Sequence, residues 1–531
     1  MNYFLIAASF ILVAFGQPAW ISGFGVLAAA FGFALFWRAI LNYQSPRERF
    51  IASVIWFSCV QGVQLSWMAT LDYMGPLILV MYLFLIIAMG VQFGVLSFFL
   101  EHPPSLLRSF AMAGCWTLFE WMRLYFLCGF TWNPVGLSLT DSPYSLQFAS
   151  VWGIFGLSFW VILVNLVALK ALVEKSTRHI VVWSSLAFFP YAFGLVQQSV
   201  VESHVPVSGN LSVALVQTGL LPEQKDQIPN SHSAYVSPLD QWRRILEVLD
   251  PEEKVDLIVL PEAALPLGAH LAGYDLSKID QCFKKSAFAP LKDPYALFSK
   301  GAWRVSNAFL CQTLANQSGA HVIVGLDDQD FTGKYNAAFH FVPGNGSYER
   351  YEKRVLVPVG EYVPLQKWRR FARFVAEQFG IYSSFDAGSE VKIFKAHYPI
   401  GISICLEETF SHLTRELRLK GAEVFVNLTN DVWFPRSKLP QQHFDHGRVR
   451  AAENGVPILR ACNTGITGAV NCFGRQVARL DPSEKKADAL YFSMPIRSFP
   501  TLYTWWGDSG ILAISVGSLV SYFAYRKKKL P

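Results

Sequence analysis

Three short segments of the 531-residue chain carry side chains whose types suit covalent catalysis. Glu262 follows an apolar run in VLPEAALP (259–266). YEKRVLVPVGEYVP (351–364) holds Lys353, and Glu361 stands eight residues later. Cys405 sits in ISICLEETF (402–410), with Glu407 two residues beyond it. A cysteine thiolate is a nucleophile, a carboxylate can take and return its proton, and an ammonium can stabilise an oxyanion. Cys405 falls where an apolar run gives way to a polar, helix-like one. A thiol at such a junction faces the positive end of a helix dipole, which predicts a lowered pKa. Taken singly, each residue also has a plain reading. Cys405 can be a small core residue, Glu262 a solvent-facing strand end, and Lys353 part of the charged run 349–354. The combination gives the functional reading its weight.

The elements that would position these residues are legible as short apolar or alternating runs. SVALVQ (212–217), VDLIVL (255–260), HVIVGL (321–326), AAFHFV (337–342), YPIGISI (398–404) and EVFVNL (423–428) read as strands. RRILEVLD (243–250) and SHLTRELRLKGA (411–422) have helical spacing, the second stopped by Gly421. Strands alternating with helices predict a layered α/β domain over about residues 205–500. The eight cysteines (59, 115, 128, 282, 311, 405, 462 and 472) show no CxxC or Cys/His metal spacing, so neither a metal nor a cofactor is expected.

Composition sets this domain apart from the rest of the chain. Overall, 52% of residues are hydrophobic and 16% charged, against roughly 25% charged in ordinary soluble domains. Residues 1–200 hold 14 charged residues and the remaining 331 hold 70, so the excess apolarity belongs to the first part. A membrane helix takes about 20 apolar residues. Eight candidate spans lie near 3–17, 20–37, 51–70, 76–100, 107–127, 145–170, 180–197 and 508–525. Arg38, Arg47, Arg49, Arg108, Lys170, Lys175, Arg178 and the closing Arg526-Lys527-Lys528-Lys529 all fall on one side of such a topology. By the positive-inside rule that side is cytoplasmic, and the α/β domain lies opposite. Glu120 and Arg123, three apart in the fifth span, share one helix face and can pair. A net charge of +6, with no basic run interleaved with aromatics, gives no footprint for nucleic acid.

The order Glu262, Lys353, Cys405, each at or just past a strand, resembles the catalytic set of the nitrilase superfamily. Across essentially the whole chain the sequence is similar to the apolipoprotein N-acyltransferase family. GEYVP after the lysine, NLTNDVWF (427–434) and QQHFDHGRVRAAENGVPILRACNTG (441–465) carry that likeness. The resemblance implies eight spans with an α-β-β-α sandwich domain inserted before the last. The chain would then divide into a seven-span bundle (1–200), an extracytoplasmic nitrilase-like domain (201–505), and a final span with a cytoplasmic basic tail (506–531). It implies Glu262 as base, Lys353 as oxyanion stabiliser and Cys405 as nucleophile, with Glu361 and Glu407 supporting. Two positions depart from the family pattern: Leu406, where Tyr is frequent, and the stretch after Gln217, where no Trp precedes Trp242.

The implied reaction is acyl transfer through a Cys thioester in a bacterial inner membrane. The donor would be a phospholipid, and the acceptor the α-amino group of a diacylated apolipoprotein. The alternative is a membrane-tethered amidase or nitrilase that uses the same triad with water as acceptor. The apolar stretches 265–274, 288–303 and 367–382 are expected to touch the bilayer. Phe371, Phe374 and Phe379 approach one helical face in the last.

Overall fold

The computed structural model describes the chain except residues 1–2, 103, 127, 226–233, 286–296, 300, 366, 380–383, 481–485 and 530–531. Much of the expected bilayer-touching stretch 288–303 and the end of 367–382 therefore lie outside the described residues. So do the side chains of Phe371 and Phe379. The chain forms two compact units. One comprises Met1–Val205, Arg436–Gly455 and Phe499–Pro531, and the other Pro206–Pro435 and Val456–Ser498.

The first unit is helical. Among the described residues, three of its helices are long and apolar enough to cross a membrane: Leu77–Phe99, Ser145–Glu174 and Thr177–His204. Tyr3–Ala14 and Phe24–Ile40 are shorter apolar helices. Two of the expected spans end early in 3-10 turns. Pro46–Gln64 is followed by Ser66–Met68, and Leu106–Met122 by Arg123–Tyr125. Ser145–Glu174 is the most enclosed of the long helices. Its Asn165 repairs a break in a neighbour, the π-helical turn Ala28–Gly32, where the regular hydrogen-bond ladder is interrupted. Asn165 Nδ2 donates to the Ala28 and Ala29 carbonyls, and its Oδ1 accepts from Phe33 and Ala34 N–H at 2.8 and 3.1 Å. Glu120 and Arg123 are both buried. Glu120 accepts from Trp116 and the Val135 N–H, whereas Arg123 donates to Gln92.

The second unit is α/β. Its strands are β1 (Gly209–Gln217), β2 (Leu257–Val259), β3 (Tyr274–Asp275), β4 (Leu297–Ser299), β5 (Ala302–Val305), β6 (His321–Gln329), β7 (Lys334–Phe341), β8 (Tyr348–Glu352), β9 (Ile393–Lys395), β10 (Pro399–Ile404), β11 (Val424–Thr429), β12 (Ile458–Cys462), β13 (Gly468–Val470), β14 (Gln476–Arg479) and β15 (Asp488–Ile496). Two six-stranded sheets result, ordered β15-β1-β2-β6-β7-β8 and β14-β13-β12-β11-β10-β9, with a small β3-β5-β4 sheet beside them. β1, β2 and β6 run parallel, as do β10, β11 and β12. All six runs read as strands in the sequence fall in these sheets.

Alternation assigns the faces. Leu211, Val213 and Leu215 of the first sheet meet Ile400, Ile402, Ile404, Val426 and Leu428 of the second in one apolar core. The other face of the first sheet packs on the helices Pro238–Val248, Leu276–Lys285 and Asn307–Ser318 through residues such as Trp242, Phe283 and Leu314. Parallel strands covered on both faces explain why these runs are apolar almost throughout. Active residues of such sheets gather where the strands end, and Glu262 and Cys405 both lie just past the carboxyl ends of parallel strands.

Candidate active site

The five residues singled out in the sequence converge at one end of the two sheets. Glu262 sits in the turn after β2. That turn is stitched to β6 by backbone bonds: Gly325 N–H to the Pro261 carbonyl at 3.1 Å, and Ala264 N–H to the Gly325 carbonyl at 2.8 Å. Lys353 follows β8 directly, and its N–H donates to the Asn336 carbonyl on β7 at 2.9 Å. Glu361 occupies the next turn, where its Oε2 accepts from Val357 N–H at 2.8 Å. Cys405 directly follows β10 and opens a five-residue 3-10 turn, Cys405–Thr409.

The core of the site is a buried charge cluster. Lys353 Nζ lies 3.0 Å from Glu262 Oε1 and 2.8 Å from Glu361 Oε1. Asn336 Nδ2 donates to the same two oxygens, at 2.8 Å each. The ammonium is 1% exposed, a position that disfavours its charge, yet the two carboxylates hold Lys353 well above its ordinary pKa. Lys353 is therefore a fixed cation. Asn336 was not singled out in the sequence. It stands inside the strand run KYNAAFHF and reads there as an ordinary polar position.

Cys405 departs from the sequence expectation. Burial pushes its thiol well above the ordinary value, the Glu262 carboxylate pushes the same way, and Lys353 opposes them. The lowered pKa expected from a helix dipole does not arise. The element after Cys405 is a single short 3-10 turn, and the half-buried residue packs against the core between the two sheets. The resting thiol is thus protonated near neutral pH, and attack requires a base beside it.

The backbone here is strained in three places. Cys405 (φ +52°), Ala263 next to Glu262 (φ +41°) and Val359 two residues before Glu361 (φ +58°) are left-handed without being glycine. Such positions cost about 1–3 kcal/mol each and persist only where the surroundings fix them. Glu407 does much of the fixing at Cys405. Its Oε2 accepts from Ile404 N–H at 2.8 Å, and its Oε1 from Arg354 and Val355 N–H at 2.6 and 3.1 Å. The Tyr351 hydroxyl reaches both oxygens. One carboxylate thereby ties the cysteine turn to the segment that leaves Lys353. The neighbouring Leu406 is buried. All eight cysteines are free thiols, and no metal-binding cluster occurs among the described residues.

Residues 212–489, which hold this thiol, carboxylate and ammonium, match the carbon-nitrogen hydrolase family. Residues 3–167 match the apolipoprotein N-acyltransferase N-terminal domain. An apolipoprotein N-acyltransferase of Chlamydia caviae is 32% identical, with 98% of this chain and 97% of that protein covered. One of Chlamydia pneumoniae is 31% identical over the full length of both. Among solved structures, Saccharomyces cerevisiae Nit3, a member of branch 10 of the nitrilase superfamily, is similar at 18% identity and a TM-score of 0.36, covering 54% of this chain and 91% of that one. The chain belongs to the apolipoprotein N-acyltransferase family. It is an enzyme and, with its long apolar helices, an integral membrane protein.

Proposed function

We propose that the enzyme transfers a fatty acyl chain from a membrane phospholipid to the α-amino group of a diacylglyceryl-cysteine at a lipoprotein N-terminus, through a thioester on Cys405. Glu262 takes the thiol proton as sulfur attacks the ester carbonyl. Lys353 stabilises the tetrahedral oxyanion, together with a backbone N–H of the turn after Cys405. Glu262 returns the proton to the departing lysophospholipid alkoxide, and the acyl thioester remains. An α-amino group has a pKa of about 7.7–8.0, so a useful neutral fraction exists near pH 7. The amine attacks the thioester, Glu262 takes its proton, the amide forms and the thiol is restored. Covalent catalysis divides one hard transfer into two easier ones.

What supports this reading is the geometry: Cys405 on a left-handed turn at the end of one sheet, with Glu262 and the Lys353 ammonium, 3.0 Å apart, gathered at the end of the other. Glu361 shares Lys353 and keeps the ammonium charged. In this reading the eight apolar stretches are spans and the α/β domain faces the periplasm. The division is then a seven-span bundle over 1–200, the catalytic domain over 201–505 and a last span with a cytoplasmic tail over 506–531. Two membrane-anchored substrates require an active site open to the outer bilayer surface, and excluding water separates transfer from hydrolysis.

The test supplies purified enzyme with phospholipid and a diacylated lipopeptide and follows both products. Triacylated lipopeptide with little free fatty acid is expected. Free fatty acid as the main product despite the added lipopeptide would instead favour the hydrolase reading, in which water is the acceptor. A reporter fused to the C-terminus is expected to score cytoplasmic, and a periplasmic score would reverse the topology.

A further inference from the structure

The turn that carries Cys405 rests on a buried polar row. Ser403 on β10, Asn427 on β11 and Arg460 on β12 are register partners across the second sheet. Their neighbours Ile402, Ile404, Val426, Leu428, Leu459 and Ala461 point into the core between the sheets. By strand alternation the row lies on the opposite face. Asn427 Nδ2 donates to the Cys405 carbonyl and to Ser403 Oγ, both at 3.1 Å. Arg460 is 1% exposed. Its Nη1 pairs with Glu408, inside the 3-10 turn that begins at Cys405, and its Nη2 with Asp431 Oδ2 at 3.1 Å, just past β11.

We propose that Arg460 is a positioning residue for the nucleophile. Its planar fork clamps Glu408 on one side and Asp431 on the other, and so holds the left-handed Cys405 turn against relaxation. The inference rests on the reading of Cys405 as nucleophile. An Arg buried in a sheet between two carboxylates is an expensive arrangement, since each of the three charges must be taken out of water before their attraction is counted. An apolar row would keep the sheet at lower cost. What the charged row adds is a fixed attachment for the turn, made by two N–H groups at set geometry. The other side of the same turn is fixed by Glu407. The nucleophile is therefore held from both flanks. A lysine would keep the charge and lose the fork, whose two separate N–H arms reach Glu408 and Asp431.

The test is single-turnover acylation of Cys405 by phospholipid in the full-length enzyme, recording amplitude and rate constant separately. In Arg460→Lys the rate constant is expected to fall at least tenfold. The amplitude and the dependence on phospholipid concentration should stay as in the wild type. Glu408→Gln, which weakens one arm of the fork, is expected to do the same to a lesser degree. A merely structural residue would lower the amplitude by reducing the folded fraction and leave the rate constant of the remainder untouched. Rate constants within twofold of wild type in both variants, or losses of amplitude or fold alone in both, would overturn the proposal. Absence of any adduct in the wild type would instead strike the nucleophile assignment itself.

Discussion

Lys353 Nζ and Glu262 Oε1 lie 3.0 Å apart with both groups out of water, and Glu361 stands 2.8 Å from the same nitrogen. One cation thus balances two carboxylates. Lys353→Met would leave them facing each other without it. Removing one member of a buried ion pair costs about 3–5 kcal/mol. The variant is expected to unfold at a clearly lower temperature and to lose acylation. A melting temperature equal to wild type would contradict the buried-cation account.

The raised pKa of Cys405 gives a pH dependence with a definite sign. Only the thiolate reacts with iodoacetamide, and below the thiol pKa its fraction grows tenfold per pH unit. Burial and Glu262 both raise that pKa. Labelling of Cys405, quantified on its own peptide, should therefore climb steadily from pH 7 to pH 9. A plateau already at pH 7 would indicate a low-pKa thiolate.

Glu262→Gln separates the two roles of that carboxylate. As a base it contributes about 10²–10⁴-fold, so acylation should fall by at least a hundredfold. As a negative neighbour it opposes ionisation of Cys405. Iodoacetamide labelling of the variant should therefore be no slower than wild type. Parallel loss of both would show that the substitution disturbs the thiol itself.

Gly325 on β6 sets the position of Glu262. A Cβ there would stand 2.7 Å from Glu262 Cα, 2.7 Å from the Pro261 oxygen and 2.9 Å from the Ala263 nitrogen. Backbone must shift to admit it. A displacement near 1 Å at a catalytic group costs about 10²-fold. Gly325→Ala is expected to lose between tenfold and a hundredfold in acylation rate, while Cys405 labelling stays within twofold. Full activity would show that the Glu262 turn yields without consequence.

Glu262 and Cys405 are legible because each follows an apolar run, and such runs fix strands wherever both faces are covered; Lys353 instead follows the charged strand Tyr348–Glu352. β1, β2, β6, β7, β10 and β11 all coincide with runs visible in the sequence. Asn336 and Arg460 were hidden for the same reason. Each is a polar residue within a strand, and its partners stand 74 and 25 residues away for Asn336 and 52 and 29 for Arg460. Only the register of the sheets brings them together. The pKa of Cys405 departs from the dipole expectation because that effect depends on the length of the following element. Here that element is five residues of 3-10 turn rather than a helix. In the apolar part, hydropathy marks stretches but not breaks. The 3-10 turns Ser66–Met68 and Arg123–Tyr125 shorten two of them.

The proposed transfer turns on the acylation of Cys405 by phospholipid. Purified enzyme incubated with phospholipid and no acceptor, then digested and weighed by mass spectrometry, tests it directly. The account predicts a fatty-acyl mass on the Cys405 peptide that hydroxylamine removes and that Cys405→Ser lacks. An unmodified Cys405 peptide under those conditions, or undiminished acyl transfer by Cys405→Ser, would contradict it.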